Sequence, residues 1–468
     1  MRTPNLQIGI GLNGWRNETL DTIRLALPIA LTQLGQVAMM TSDLALVGRL
    51  GDKAVAASAL AQVVLFVSFV LGMGLVSAVA PLAAQAYGAR EPRMVRRALR
   101  VGLWVAILLA IPLTAFALQG ERLLLWLGQS PEIAGLAGEY LAGLAWSLAP
   151  GWCFIAIRSF MGAVNRPEPA LWVTLVAVPL NTLLAYALIF GEFGLPALDM
   201  AGAGIATTLV NLGMCVACLV IAYTQRPFRK YRVLGRFWRP DWPLFRELIV
   251  VGAPMSGSFL LEFGLFASAA VFVGWIGAIE LAAHQIALQV AAIVFMVPFG
   301  ISMAATVRVG HAVGRGESGA VRRAGLTAIA LGATFMAAMV VLILAFRHQI
   351  PLLFLSWSDA ATVETAALAA SLLTVGATFF IADGVQTVAA GALRGLNDTR
   401  IPMLLAATSF WVVGMTTCYG LAFPAGFGVT GIWIGFTVAL IVYASLLIWR
   451  FDTLSRRGFM PEVAHAAA

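Results

Sequence analysis

The chain has 468 residues, of which 60% are hydrophobic and 11% charged, with a formal net charge of +8 and a mean hydropathy of +0.90. Soluble domains carry roughly a quarter charged residues and cannot hide so much apolar surface. The composition therefore excludes a cytosolic enzyme, a disulfide-stapled secreted domain and a disordered chain, and it points to an all-α, polytopic membrane protein.

In chain order, apolar stretches long enough to cross ~30 Å of hydrocarbon fall near residues 20–48, 54–84, 95–118, 133–160, 169–190 and 200–224. A second set follows near 245–274, 279–308, 322–346, 362–392, 400–421 and 429–450. Residues 1–20 are mixed and polar, with no apolar core ahead of a small-residue cleavage site, so no cleavable signal peptide is expected. Twelve spans leave both termini on one side. Of the 30 Lys and Arg residues, only Arg49, Lys53, Arg122 and Arg347 fall on the opposite side, and the other 26 lie in the termini and even-numbered loops. The positive-inside bias places that basic side, and both termini, in the cytoplasm of a cytoplasmic (inner) membrane. The basic charge is thus topological, with anionic lipid as its expected partner and no nucleic acid implied.

The chain is a duplication. At a shift of 226 residues Pro28 falls on Pro254, Val47-Gly48-Arg49-Leu50-Gly51 on Val273-Gly274-Trp275-Ile276-Gly277, and Gly88 on Gly314. At 229, Gly162-Ala163 meets Gly391-Ala392 and Gly202 meets Gly431. The expected organisation is an N-terminal segment (1–19), an N-lobe of six spans (20–225), a basic linker (226–244), a C-lobe of six spans (245–450) and a tail (451–468). An even number of spans per repeat relates the lobes by an axis along the membrane normal, with a cavity between them opening alternately to each side.

Three acids lie where lipid should be: Asp43 in the first span, Glu262 in the seventh and Asp383 in the tenth. An ionised carboxylate there costs roughly 2.5–3.5 kcal/mol even on the insertion scale. Each is either a satisfied interface group or, as favoured here, a coupling site for a cation or proton; ionised, Glu262 and Asp383 offer oxygen ligands to a hard cation such as Na+. Phe263, Phe295 and Trp275 could add cation–π contacts, although plain packing is the commoner role. Asn181 either bonds an acid of its own bundle or satisfies the backbone kinked by Pro179. Pro28 implies a kink usable as a hinge. His284 and Gln285 border the cavity or, preferably, bond between helices. Cys215 and Cys218 form a CxxC without further ligands and are expected to pack. No GxxxxGK[ST] sequence occurs, so ATP is not expected as energy source.

Taken together, Thr41-Ser42-Asp43 with Val47-Gly48-Arg49-Leu50-Gly51, Leu261-Glu262, Leu281 to Ala287, and Asp383-Gly384-Val385-Gln386 with Gly391 to Gly395 resemble the MATE (multidrug and toxic compound extrusion) family, most closely its NorM-like branch. The resemblance spans about residues 20–450. It implies two six-helix lobes, no enzymatic activity, no cofactor beyond a coupling ion, and export of organic cations against an inward Na+ or H+ gradient, by a monomer. It further implies a C-lobe cation site at Glu262 and Asp383 and an N-lobe coupling acid at Asp43. The Asn-x-x-x-Asp pattern of other branches reads here Asn181-Thr182-Leu183-Leu184-Ala185, which favours the C-lobe acids and, with both present, Na+. A lipid-linked-saccharide flippase of the same superfamily is the competing reading, disfavoured because the mid-span charges are acidic apart from Arg158. The charge count makes a direct prediction: a cysteine at position 232 is labelled by an impermeant reagent only from the cytoplasm, and one near Asp359 only from outside. Reversed labelling overturns the orientation.

Overall fold

The computed structural model describes residues 12–233, 235, 237–354 and 360–458. Residues 1–11 of the N-terminal segment, 459–468 of the tail and Asp359 lie outside the described residues. No strand occurs among the described residues; the chain is helical almost throughout. Its spans are α1 (Leu12–Val47), α2 (Asp52–Gly88), α3 (Pro92–Ala117), α4 (Pro131–Ala163), α5 (Glu168–Phe190) and α6 (Asp199–Thr224). The second set is α7 (Trp242–Ile276), α8 (Ala278–Gly314), α9 (Ser318–Phe346), α10 (Ala360–Val375 continued by Ala377–Gly395), α11 (Arg400–Ala422) and α12 (Gly428–Arg456). Among the described residues eleven helices are long and apolar enough to cross a membrane, and α10, bent by 52° at Gly376, makes twelve when taken as one span. The protein is therefore an all-α membrane protein of two pseudo-symmetric six-helix bundles. α1 and α7 start earlier than hydropathy alone indicates, at Leu12 and Trp242.

The repeat is visible as geometry. α2 and α8 begin at Asp52 and Ala278 and end at Gly88 and Gly314, both pairs 226 residues apart. The turns after them carry a left-handed residue at Arg90 and at Gly316, again 226 apart. Beyond the breaks in α4 and α10, the closing helix has 16 residues in the N-lobe (Leu148–Ala163) and 19 in the C-lobe (Ala377–Gly395). The helix ends thus align Ala163 with Gly395, and the left-handed residues Asn165 and Asn397 confirm that offset of 232. The pairing of Gly162-Ala163 with Gly391-Ala392 suggested by sequence is one turn out of register. The cause is the three extra residues, which are helical and give hydropathy no signal.

Close backbone approach joins the lobes. Gly88 lies against the backbone of His311, and its repeat mate Gly314 lies against that of Gln85. Gly74 meets Ser256, and Gly300 meets Ala30 in the same way. Each contact maps onto its partner at a shift of 226. A Cβ at any of these glycines would overlap main-chain atoms, so small residues here permit helix crossing as in other membrane bundles. Cross-lobe hydrogen bonds repeat too: Gln85 Nε2 donates to the Gly395 carbonyl (2.9 Å) and His311 Nε2 to the Ala163 carbonyl (2.7 Å). Arg308 on α8 adds a bidentate pair with Glu18 on α1, at 2.8 Å for both bonds. All of these lie in the half carrying the basic loops. In the other half the N-lobe keeps a core of its own, built from Leu46, Val64, Tyr140, Leu188 and their neighbours, separate from the core that runs through both lobes. The lobes are fused at the basic end and part toward the other.

The basic first turns of α3 also do more than set topology. Arg97 grips Asp241 at the end of the connector through two bonds (2.6 and 3.0 Å), Arg100 approaches the same carboxylate at 3.4 Å, and Trp104 Nε1 donates to the Phe237 carbonyl. The hydrogen bonds from Arg97 hold the Asp241 carboxyl below its usual range. A depressed pKa contributes stability that is present above the unfolded value and is lost as pH falls through the folded one. Limited proteolysis of the 226–241 connector is therefore expected to stay slow down to pH values below the ordinary Asp range and then rise. Asp241→Asn should make it fast already at neutral pH; equal rates for the two proteins would remove the clamp.

Candidate functional site

Two polar clusters occupy the bundle interiors, one per lobe. In the N-lobe, Asp43 on α1 is 5% exposed and receives Asn181 Nδ2 from α5 (2.5 Å) and Thr207 Oγ1 from α6 (2.9 Å). Both oxygens of the carboxylate are thereby met by donors, which offsets the cost of burying them. Tyr140 of α4 is buried within electrostatic reach. Of the two roles open to Asn181, the structure places it on the acid. Ala185, one turn further along α5, is fully buried and adds no second carboxylate. Thr207 and Tyr140 were not legible as site residues, because a threonine or tyrosine in an apolar span gives no signal until its neighbour across the bundle is known.

In the C-lobe, Glu262 on α7 and Asp383 on α10 are brought together by one amide. Gln386 Nε2 donates to Glu262 Oε1 (2.9 Å) and to Asp383 Oδ1 (3.1 Å), with Thr387 Oγ1 at 3.0 Å. Asp383 and Gln386 are three residues apart and share a helix face. Gln386 stands in the sequence beside Asp383, yet its role as the link between the acids appears only in three dimensions. Below the pair, the Arg394 guanidinium lies 4.8 Å over the Phe259 ring and within electrostatic reach of Glu262. The donor set of two carboxylates, a hydroxyl and an amide that presents oxygen when turned suits a hard monovalent cation as well as a proton. No cluster of three or more His, Cys, Asp or Glu side chains occurs among the described residues.

The remaining sequence candidates separate. His284 is fully buried, and its Nδ1 accepts from Trp433 Nε1 of α12 (3.2 Å), the interhelical bond favoured for it. Gln285, next in sequence, is exposed. Phe263 packs on Phe66 of the other lobe, ring centroids 4.8 Å apart, and so lies on the seam between the lobes. Phe295 packs at a tilt on Phe299, which in turn meets Phe259 beneath Arg394. Trp275 cannot reach a cation at Glu262: thirteen helical residues separate them, about 20 Å of rise, and its ring packs on Phe272 and Phe423 instead. α1 runs through Pro28 without interruption, and α7 through Pro254, with Thr32 and Ser258 donating to the carbonyls of the two prolines (2.8 and 3.0 Å). All four cysteines are free thiols; Cys153, Cys218 and Cys418 are buried, Cys215 half-buried. Residues Ala407–Gly414 of α11 form a stretch of π-helix, and Trp411 within it donates to the Leu261 carbonyl beside Glu262 (3.2 Å). Such wide turns recur at functional sites in helices.

The family pattern named MatE matches residues 28–187 and again 254–420, one copy per lobe. The chain belongs to the MatE family. Full-length likeness agrees. The probable multidrug resistance protein NorM of Rhodopseudomonas palustris is 60% identical over 452 residues, covering 97% of this chain and 95% of that one. A protein of the same name from Bradyrhizobium diazoefficiens is 56% identical over 453 residues, covering 96% and 97%. Among solved structures, the eukaryotic MATE transporter AtDTX14 superposes with a TM-score of 0.84 at 22% identity, covering 95% of this chain and 99% of that one. The Vibrio cholerae MATE transporter VcmN in its bent form gives 0.82 at 18% identity, covering 95% and 99%. At such identities these two speak for the fold alone. As a MatE protein the chain is a membrane transporter and not an enzyme.

The N-lobe network carries a stability prediction. Thr207→Val keeps shape but strips one donor from a buried carboxylate, a loss of about 1–3 kcal/mol. Thermal unfolding in detergent is expected to shift downward for Thr207→Val, and the Asp43→Asn, Thr207→Val double variant should recover part of that loss. Strict additivity of the two changes would show that Thr207 does not serve Asp43.

Proposed function

We propose that this MatE-family transporter exports cationic amphiphilic compounds in exchange for an inward-moving cation, with Na+ as the favoured coupling ion and Glu262 and Asp383 as its ligands. The observation that carries the reading is the single Gln386 amide joined to both carboxylates. Two acids held at one point inside a membrane protein can be compensated by a mobile cation in place of that amide, and Gln386 can turn to offer its oxygen when the cation arrives. The relatives named as multidrug resistance proteins support the substrate class.

The lobe arrangement supports alternating access. Fusion at the basic end, which the charge bias assigns to the cytoplasm, with separate cores at the other end, is what an outward-open transporter requires. An organic cation leaves this cleft as Na+ enters the C-lobe site from the same side. Neutralising the acids then lets the lobes swing about the glycine seam, with Pro28 as a hinge in α1. Asp43 acts separately in the N-lobe and confers dependence on pH. His284, Gln285, Phe263 and Phe295 support or border the path. One chain holds both lobes and every proposed group, so the working unit is a monomer in the inner membrane, driven by the ion gradient and not by ATP.

Ion and drug binding are linked, and linkage is reciprocal. In proteoliposomes, efflux of a fluorescent organic cation is expected to follow an imposed Na+ gradient, most strongly at alkaline pH where protons no longer compete for the same oxygens. Drug affinity should fall as Na+ rises. Glu262→Gln or Asp383→Asn should abolish both effects, and Gln386→Ala, which removes the oxygen offered to the arriving cation, should raise the half-saturating Na+ concentration. Asp43→Asn should leave the Na+ effect in place and alter the pH profile. Affinity that ignores Na+ and follows pH through either acid site would make the protein a proton antiporter.

A further inference from the structure

The C-lobe site has a third charge beside it that takes no part in its hydrogen bonds. Phe259 and Glu262, three residues apart, share a face of α7, and the Arg394 guanidinium lies 4.8 Å over the Phe259 ring. Arg394 and Glu262 are in mutual electrostatic reach. Arg394 stands eleven residues beyond Asp383 on α10, about 16 Å of rise, so it approaches the acids from the basic end and does not join their bonds with Gln386. Its guanidinium makes no ion pair with any described residue. The polar groups around it are engaged elsewhere: Asp398 takes Arg450 (2.9 Å), and the Tyr443 hydroxyl donates to the Pro402 carbonyl (3.3 Å).

The repeat shows that this set is not needed to build a lobe. At the offsets of 226 in the first helix and 232 at the ends of α4 and α10, Phe259, Glu262 and Arg394 fall on Gln33, Gln36 and Gly162. Ring, acid and guanidinium are thus replaced together in the N-lobe. Arg158, one turn before Gly162, is held there by hydrogen bonds to the same two glutamines, Nη1 donating to the Gln33 side-chain oxygen and, at 3.3 Å, to Gln36 Oε1. Arg394 has no such tether, and what it brings to the C-lobe is its charge beside Glu262.

Two carboxylates, a hydroxyl and an amide would by themselves suit Ca2+ or Mg2+ as well as Na+, since all three are hard ions that take oxygen ligands. Charge decides among them in a low-dielectric interior, where an uncompensated unit of either sign is costly. Ionised Glu262 and Asp383 together with Arg394 leave the empty site one negative charge. One monovalent cation makes it neutral, and a divalent ion leaves it one positive charge. Without the guanidinium the order reverses: the site starts with two negative charges, becomes neutral with a divalent ion and stays negative with Na+. We propose that Arg394 is the specificity-determining residue of the C-lobe site, restricting it to one monovalent cation and shutting out divalent ions. This role rests on the proposed ligation of the ion by Glu262 and Asp383.

Equilibrium dialysis of the purified full-length protein with radiolabelled Na+ and, separately, radiolabelled Ca2+ reads it directly, at alkaline pH in Tris chloride of constant ionic strength. The parent protein is expected to bind about one Na+ per chain, lost in Glu262→Gln, with no saturable Ca2+ binding. Arg394→Gln should bind Ca2+ saturably, its affinity for Ca2+ relative to Na+ raised at least about tenfold. Adding Glu262→Gln to that variant should abolish the Ca2+ binding, which a disturbance elsewhere in the fold would not do. Arg394→Lys keeps the charge and should keep the exclusion of Ca2+. Gln386→Glu reaches the same doubly negative site with the arginine in place and should also admit Ca2+, so the charge count is tested even if Arg394→Gln does not fold. A parent protein that binds no Na+, or binds it independently of Glu262, overturns the site and this role with it. Na+ binding through Glu262 with Ca2+ still excluded from Arg394→Gln, or with Ca2+ admitted equally by Arg394→Lys, overturns the role of Arg394 alone.

Discussion

A charge inside a hydrocarbon slab has no water to meet it, so the protein must supply the partner, and most of the interior of this chain is arranged around that requirement. Asp43 is met by an amide and a hydroxyl from two other helices. Glu262 and Asp383 share a single amide. Arg394 sits over a ring and near Glu262, and Arg158 leans on two glutamines. These partners come from helices distant in sequence. Each buried charge therefore fixes the register of two or three spans at once, in a medium where apolar surface gives helices little reason to prefer one neighbour over another.

The glycine seam meets the complementary demand of the proposed exchange, joining two bundles that also have to part. Gly74, Gly88, Gly300 and Gly314 bring backbones together without interlocking side chains, and the hydrogen bonds across the seam end on main-chain carbonyls. Small residues give a smooth surface that can be left and re-formed with little side-chain rearrangement. The side-chain ion pair across the same end, Arg308 with Glu18 and Asp21, is partly exposed, so water could take its place in the proposed motion.

Much of this was legible in the sequence because the bilayer forces it to be. Span length, the sidedness of arginine and the three misplaced acids each follow from one constraint acting on one segment. The repeat was legible through Pro28, Gly88 and their mates, since a glycine at a backbone crossing tolerates no drift. What failed was information that lives between segments. The slip at Gly391-Ala392 arose from three helical residues with no compositional mark. Trp275 looked like a neighbour of Glu262 because it shares a span, although the rise along α7 separates them. Gln386, Thr207 and Tyr140 are ordinary residues until a carboxylate from another helix arrives beside them.

The departures from symmetry then acquire a meaning that neither lobe shows alone. A duplicated pair of bundles begins with the same groups in both, and a difference at matched positions marks a division of labour. The C-lobe has Glu262, Asp383 and an arginine, a set whose net charge changes when one cation is bound. The N-lobe has the amide Gln36 at the position of Glu262, places its arginine one turn earlier, at Arg158, and carries its acid at Asp43, whose C-lobe mate is Ala269. Moving the acid along α1 by two turns, from the level of Gln36 to that of Asp43, separates it from the arginine at the basic end. Acid and guanidinium are then met independently, the one by Asn181 and Thr207 deep in the bundle and the other by Gln33 and Gln36 nearer the seam. In the proposed exchange, lobes whose charges are met separately would let one motion answer to two ionic conditions, which two identical lobes would not.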